Sequence, residues 1–208
     1  MTITRVRAGD VHTARVTVLF ADLRGYTALA ERLPAARVVP LLDEFFRMLT
    51  AATTQFGGEV FHMAGDAIMA GFGVHGGPNE GAANAVAAGH AILSNFAPIA
   101  ARWRCELAIE SGIGIGLHLG EVAVSAFGPP RRKSITLIGD TVNVAARLCG
   151  RARAGEVLFS CQVADALTTR TDADVDTRPY LQLPQFELRG RREPIDIWCL
   201  PARERLEL

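Results

Sequence analysis

The sequence predicts a mixed α+β domain on three observations. The stretch ARVTVLFA at residues 14–21 is rich in β-branched and large apolar side chains, which indicates a buried strand. Apolar residues recur at three- and four-residue spacing over residues 36–56, as they do in a long amphipathic helix. The stretch GEVFHMAGDAIMAGFG at residues 58–73 indicates two short strands joined by a tight turn at Gly65 and Asp66.

The remaining elements follow in order along the chain. Gly25 lets the chain turn after the first strand, Thr27 is expected to cap a helix over residues 28–33, and Pro34 ends that helix. An Ala-rich helix is predicted over residues 80–99. The other predicted elements are strands within 107–119 and over 120–127, 134–138 and 155–160, helices from Asp140 and Gln162, and a closing hairpin of 186–189 and 194–200.

Length and composition set the limits of the interpretation. With 208 residues, nearly half of them hydrophobic, the chain can bury one core, so we expect a single domain over residues 1–208 with its core at about 15–200. The 22 basic residues balance the 22 acidic ones, and we therefore expect neither nucleic acid nor a membrane as a partner. The four cysteines form no CxxC pair, which argues against a zinc site. Without a signal peptide or a membrane span in the sequence, we expect a soluble cytoplasmic protein.

Two aspartates lie at the ends of predicted strands. Asp22 is followed by a short loop, Gly25, Tyr26 and Thr27, that leads into a helix. A carboxylate in this position can bind a cation, while the loop amides and the helix N-terminus bind phosphate. Asp66 taken alone is more simply a residue that caps its turn. The similar carboxylate upstream favours a shared metal-binding role for both aspartates.

A second polar group is predicted on the helix that begins near Asp140. Asn143 and Arg147 are four residues apart and therefore share one face of that helix. An amide and a guanidinium that project together can contact a ribose and a phosphate, and this fits better than two merely solvated side chains. The basic turn at residues 189–192 is ordinary soluble surface unless a phosphate ligand uses it. His118 has no His or Cys at ligand spacing, so we expect a hydrogen-bonded histidine at a strand end.

Four segments in a fixed order identify a family resemblance. They are VTVLFADLRGYTALAER, GGEVFHMAGDAIMAGFG, GIGIGLHLGEV and TLIGDTVNVAARL, and the match that rests on them runs from about Arg15 to Leu200. The chain resembles the class III nucleotide cyclase catalytic domain, that is, the adenylate/guanylate cyclase family. The resemblance implies a ferredoxin-like α+β fold of the βαββαβ type, with an antiparallel-rich sheet covered by helices. It also implies a nucleoside triphosphate (NTP) substrate and a head-to-tail homodimer with active sites at its interface.

The resemblance gives the aspartates a specific role. Asp22 and Asp66 match the pair that binds two Mg²⁺ or Mn²⁺ ions, with the backbone carbonyl of Leu23 assisting. Magnesium prefers hard oxygen ligands and keeps substrate phosphates in its coordination shell. Two such cations can activate the ribose 3′-oxygen and neutralise the triphosphate, so that the 3′-oxygen attacks the α-phosphorus and pyrophosphate leaves.

The resemblance also implies roles for three other residues. Asn143 matches the residue that orients the ribose, and Arg147 the residue that stabilises charge on the α-phosphate in the transition state. Arg191 stands in the place of the family's phosphate-binding lysine. In the family these groups come from the subunit opposite the aspartates, which implies that an isolated monomer is inactive.

Three positions depart from the family pattern or leave the substrate open. His62 stands where an adenine-selecting Lys is expected, whereas Thr136 fits the bacterial adenylate cyclase variant. An imidazole can still contact adenine or narrow the pocket for a pyrimidine. We expect ATP, keep open a pyrimidine cyclase of the phage-defence type that makes cUMP or cCMP, and place GTP last. Gly114 replaces a phosphate-contacting Arg found in some members, so that contact is absent or comes from Arg191 or residues 131–133.

Two other classes of protein are the alternatives to a cyclase. The intact Asp22, Asp66, Asn143 and Arg147 argue against a catalytically silent, nucleotide-binding domain, which would be expected to have lost a metal aspartate. A diguanylate cyclase or polymerase of the palm type would carry a GG[DE][DE]F-like turn, whereas this turn is Ala64-Gly65-Asp66. The sequence therefore favours a nucleotide cyclase, and it does not indicate what regulates the enzyme.

Overall fold

The computed structural model describes residues 11–129, 134–168, 180–187 and 194–201. The strands in these ranges are β1 (Val11–Arg24), β2 (Glu59–Ala64), β3 (Ala67–Phe72), β4 (Gly112–Phe127), β5 (Ser134–Ile138), β6 (Glu156–Ser160), β7 (Leu181–Phe186) and β8 (Ile195–Pro201). The helices are α1 (Tyr26–Arg32), α2 (Ala35–Gln55), α3 (Pro78–Leu107), α4 (Asp140–Arg151) and α5 (Cys161–Thr168).

The centre of the molecule is a four-stranded antiparallel sheet in the order β2-β3-β1-β4. Helices α1 and α2 connect β1 to β2, and α3 connects β3 to β4, so the chain follows a βαββαβ path. Strand β6 joins β4 in parallel, and β8 and β7 extend the sheet on that side in antiparallel fashion. The predicted ferredoxin-like α+β fold is confirmed.

Helices cover both faces of the sheet. On one face, α2 and α3 meet through Phe45, Phe96 and Trp103, whose rings pack edge to face at centroid distances of 5.7 and 5.6 Å. On the other face, α4 packs its buried residues Val144 and Leu148 against the sheet. Each of these helices is apolar on the side that faces the strands, which is what stabilises it in the fold. In the described part of the chain, every helix is too short or too polar to span a membrane.

Glycines at alternate positions of β4 let α4 approach the sheet closely. Alternate residues of a strand share one face. A Cβ on Gly116 would lie 2.1 Å from the backbone nitrogen of Cys149 and 2.4 Å from the carbonyl oxygen of Ala145. A Cβ on Gly120 would lie 2.4 Å from Oγ1 of Thr141. The Gly-rich run of β4 therefore fixes where α4 lies on the sheet.

Strand β4 is a single strand, although the sequence suggested two. It is continuous because β1 pairs with it from Gly112 to Ser125, so that Gly120 lies inside the ladder instead of ending a strand. His118 consequently lies in the middle of β4 and not at a strand end. Its ring is buried, and Nδ1 is 2.8 Å from Oγ of Ser160, so the expectation of a hydrogen-bonded histidine is confirmed.

Two other boundaries differ from the sequence prediction. Helix α3 continues to Leu107 and includes Pro98, because Trp103 near its end is fully buried in the core. Tertiary packing of this kind commonly outweighs local propensity. The first strand of the closing hairpin was predicted to begin at Phe186, but β7 ends there. The strand lies earlier in the chain because its pairing with β8 starts at Leu181, opposite Cys199.

Candidate active site

The end of β1 and the β2–β3 turn place two aspartates at the same end of the sheet. Asp22 pairs across the sheet with Ala67, the residue that follows Asp66. The N–H of Leu23 donates a hydrogen bond to the carbonyl oxygen of Asp66, with a nitrogen–oxygen distance of 3.1 Å. Gly65 has a φ of +61°, a left-handed conformation that a tight turn requires. Asp22, Leu23 and Asp66 therefore lie side by side at one end of the central strands.

Arg24 fills the space next to Asp22. The two residues share a face of β1, and Nη1 of Arg24 forms an ion pair with Oδ2 of Asp22. Nε of Arg24 donates to the carbonyl oxygen of Ala152 at 3.2 Å, and Nη2 donates to that of Cys149. Gly114, which faces Asp22 on β4, leaves room for this arrangement, since a Cβ there would lie 2.4 Å from Nη2 of Arg24.

The loop after β1 leads directly into α1. Gly25 is the N-cap with a φ of +91°, and a Cβ there would lie 2.4 Å from the carbonyl oxygen of Glu110. The helix begins at Tyr26, and no side chain caps it. The prediction that Thr27 caps this helix is wrong, because Gly25 already turns the chain into helical geometry two residues earlier. The N–H groups of Tyr26 and Thr27 belong to the first turn, where a helix offers them no acceptor of its own.

Asn143 and Arg147 project from the exposed side of α4, as their spacing predicts. Cys149 lies on the opposite side, where its thiol contacts the carbonyl oxygen of Gly114 at 3.3 Å. Two residues of a helix correspond to a rotation of about 200°, so Arg147 and Cys149 point in nearly opposite directions. The body of α4 therefore lies between Arg147 and the strand that holds Asp22 in the same chain.

The predicted base-selecting residues lie on neighbouring elements. His62 is exposed on β2, and Thr136 is half-buried on β5. The residues that precede them, Phe61 and Ile135, pack in the same hydrophobic cluster, which brings β2 and β5 together. Arg191 and the basic loop at residues 131–133 lie outside the described residues, so their predicted phosphate contacts stay predictions.

The arginine beside Asp22 is the feature that sequence reasoning missed. Two signals for it were present in the sequence. Arg24 is two residues from Asp22 and therefore on the same face of a strand, and Gly114 is a position where the family allows a larger side chain. Neither signal shows that Gly114 lies opposite Asp22, because that depends on the register between β1 and β4.

The thiol of Cys149 lies just behind this site. Burial raises the pKa of the Cys149 thiol to about 11, and the neighbouring Arg24 guanidinium offsets part of this effect. At pH 8 the thiolate is therefore a minor species, on the order of one part in a thousand. Because the thiolate is the reactive form, Cys149 is expected to be inert in the folded protein.

Alkylation with iodoacetamide at pH 8 tests this expectation. We expect Cys105, which is exposed, to be labelled first in the native protein, whereas Cys149 is labelled only after unfolding. Peptide mass spectrometry at successive times gives the order, and a denatured sample in which all four thiols react serves as the control. Labelling of native Cys149 at the rate of Cys105 would contradict the buried, protonated state.

The oxygen atoms of the aspartate pair suit Mg²⁺ or Mn²⁺. Two carboxylates and a backbone carbonyl are hard ligands, which magnesium prefers and combines with substrate phosphates. Within the described ranges there is no group of three or more His, Cys, Asp or Glu side chains that could hold an ion. The guanidinium of Arg24 against Asp22 shows that a positive charge fits beside this carboxylate. The donor set therefore fits an open metal site completed by substrate.

Comparison with known proteins agrees with this architecture. The crystal structure of the adenylyl cyclase CyaB from P. aeruginosa superimposes with a TM-score of 0.85 at 27% identity, covering 93% of this chain and 97% of that one. The guanylyl cyclase Cya2 gives a TM-score of 0.78 at 25% identity and covers 97% of this chain and 98% of its own. Both similarities extend over nearly the whole of each chain.

Sequence comparison leads to the same family. An adenylate cyclase from Anabaena cylindrica is 32% identical over 210 residues, which is 96% of this chain but 39% of that protein, so the chain spans about two fifths of its relative's length. Residues 10–201 match the family described as the adenylate and guanylate cyclase catalytic domain. The chain therefore belongs to the adenylate and guanylate cyclase catalytic domain family.

Proposed function

We propose that this domain is a nucleotide cyclase that converts an NTP to a 3′,5′-cyclic nucleotide and pyrophosphate. The observation that supports this most directly is the juxtaposition of Asp22 and Asp66, which the hydrogen bond from the N–H of Leu23 to the Asp66 carbonyl secures. Two carboxylates at the end of a core strand, next to a helix N-terminus, suit a cation and a triphosphate together.

In this proposal Asp22, Asp66 and the carbonyl of Leu23 hold two Mg²⁺ or Mn²⁺ ions. When bound, the ions lower the pKa of the ribose 3′-hydroxyl and neutralise charge on the triphosphate. The backbone at Gly25, Tyr26 and Thr27 supplies N–H groups that bind phosphate oxygens. The protein has little covalent chemistry to perform in such a reaction, so positioning and charge stabilisation are its main contributions.

The groups on α4 act on the other parts of the substrate. Asn143 donates to or accepts from the ribose and orients its 3′-oxygen in line with the α-phosphorus. Arg147 stabilises the charge that develops on the α-phosphate, for which a forked, permanently charged guanidinium is well suited. Arg191 is proposed to bind the terminal phosphates. None of these roles requires a covalent bond to the protein.

We infer a head-to-tail homodimer with shared sites from the direction in which these side chains point. Asn143 and Arg147 are exposed, and the body of α4 separates Arg147 from Asp22 of the same chain. An exposed amide and guanidinium on one helix face are placed to serve a site on a second chain. A two-fold axis would then form two equivalent sites, each with aspartates from one subunit and α4 from the other.

ATP is the substrate we propose, with UTP or CTP as the alternative. Thr136 and the similarity to an adenylate cyclase support ATP, whereas His62 in place of a lysine supports a pyrimidine base. The test is incubation of the purified chain with Mn²⁺ and each of the four NTPs, with chromatographic separation of the cyclic products. We expect cAMP as the main product; cUMP or cCMP in its place would favour the alternative, and no product from any NTP would contradict the cyclase proposal.

Replacement of His62 by Lys is expected to change the base preference. A lysine ammonium can donate to the adenine ring nitrogen without the bulk of an imidazole, so we expect the ratio of kcat/KM for ATP to that for UTP to rise by about tenfold, or roughly 1.4 kcal/mol. Competition assays with mixed NTPs measure this ratio. His75→Lys, at an exposed histidine paired with Glu59, is the matched control. An unchanged NTP profile in the His62 variant would mean that the base is selected elsewhere.

A further inference from the structure

The ion pair between Arg24 and Asp22 involves the carboxylate that we propose as a metal ligand. The side chains of Arg24 and Asp22 are 26% and 28% exposed, so the pair is partly withdrawn from solvent. A carboxylate in such a place is costly without a positive partner, and the guanidinium supplies one. We propose that Arg24 is a built-in counter-cation that occupies Asp22 until a divalent metal ion displaces it. This inference rests on the metal-binding role proposed above for Asp22.

The guanidinium is held in place by contacts other than the carboxylate. Nε and Nη2 of Arg24 bind the carbonyl oxygens of Ala152 and Cys149 at the C-terminal end of α4, and only Nη1 is directed to Asp22. The C-terminal end of a helix carries partial negative charge, which favours a cation there. Arg24 therefore has anchors that do not depend on Asp22, and a metal ion can take the carboxylate without removing Arg24 from its place.

The surrounding backbone is shaped for this arrangement. The position opposite Asp22 on β4 is Gly114, and any Cβ there would collide with the guanidinium of Arg24 and with the carbonyl oxygen of Ala152 at 2.8 Å. If the arginine only tied α4 to β1, the two carbonyl contacts would be sufficient. The third contact, to Asp22, is the one that opposes metal binding, because a divalent ion must break it and then remain near a fixed positive charge.

Manganese binding to the nucleotide-free chain tests the inference without relying on turnover. We expect Arg24→Gln to lower the Kd for Mn²⁺, measured by electron paramagnetic resonance at low ionic strength, by about fivefold or more. Arg24→Lys keeps the charge and is expected to stay within about twofold of the wild type. Arg32→Gln is the matched control, because Nη1 of Arg32 also donates to a backbone carbonyl, that of Ala108, at 2.9 Å and pairs with no carboxylate among the described residues.

Circular dichroism and the thermal midpoint show whether each variant folds. If Arg24→Gln does not fold, Arg24→Met is used for the same measurement, because it keeps an unbranched side chain without the positive charge and is likewise expected to tighten Mn²⁺ binding. Unchanged or weaker Mn²⁺ binding, relative to wild type, in whichever of these two variants folds would overturn the inference. When wild type binds Mn²⁺ and Asp22→Asn does not, unchanged or weaker binding in Arg24→Gln removes only the role of Arg24 and leaves the metal site in place. If neither wild type nor Arg24→Gln binds Mn²⁺, the proposed metal site falls as well.

Discussion

Replacement of Asp66 by Asn is expected to reduce NTP cyclisation by about 10³-fold or more, which corresponds to at least about 4 kcal/mol of lost transition-state stabilisation. An amide is a neutral and weaker ligand than a carboxylate, so the metal ions lose an anionic oxygen where charge develops. The fold is expected to persist, because the backbone carbonyl of Asp66, and not its side chain, accepts the hydrogen bond from Leu23. Formation of the cyclic product in the presence of Mn²⁺ gives the activity.

The control for this prediction is a carboxylate of similar chemistry away from the site. Asp43 is exposed on α2 and pairs with Arg47 one helical turn away, so Asp43→Asn is expected to keep nearly all of the activity. Equal unfolding midpoints for the two variants would separate a loss of metal binding from a loss of structure. Activity of the Asp66 variant within tenfold of the wild type would show that Asp66 is not a metal ligand.

Most of the fold could be predicted from the sequence, because its elements are strongly patterned. The long amphipathic α2, the β2–β3 hairpin around Gly65 and the start of α4 near Asp140 agree with the structure within a few residues. In each case the hydrophobic period and the turn residue indicate the same element. The shared face of Asn143 and Arg147 follows from helical spacing alone, and the structure exposes both side chains.

The features that could not be predicted depend on contacts between distant segments. The continuity of β4 through Gly120 requires its pairing with β1, and the length of α3 depends on the burial of Trp103. Likewise, the contact of Arg24 with Asp22 needs the space left by Gly114, a residue 90 positions away whose partner is set by strand register. Local propensity contains no information about these pairings, and the family resemblance supplies the roles of residues without their neighbours.

A mixture of two inactive variants is expected to regain activity if the active sites are shared between subunits. We propose to co-express Asp22→Ala and Arg147→Ala chains with different affinity tags. A mixed dimer would combine intact α4 of one chain with intact aspartates of the other, and so contain one functional site. With random pairing, half of the dimers are mixed and each has one of two sites, so about a quarter of the wild-type activity is expected. Either variant alone is expected to show less than about a hundredth of it.

The mixture of the two variants distinguishes active sites that are shared between subunits from active sites that form within one chain. If the aspartates and α4 of a single chain formed the site, no mixture of defective chains would contain an intact one, and activity would stay at the level of each variant alone. The matched control is a mixture of Asn143→Ala with Arg147→Ala. Both changes remove groups from α4, so every site in a shared dimer remains defective and no recovery is expected. Recovery in the first mixture without recovery in the second would require that Asp22 and Arg147 act from different subunits, as the opposite directions of Arg147 and Cys149 on α4 suggest.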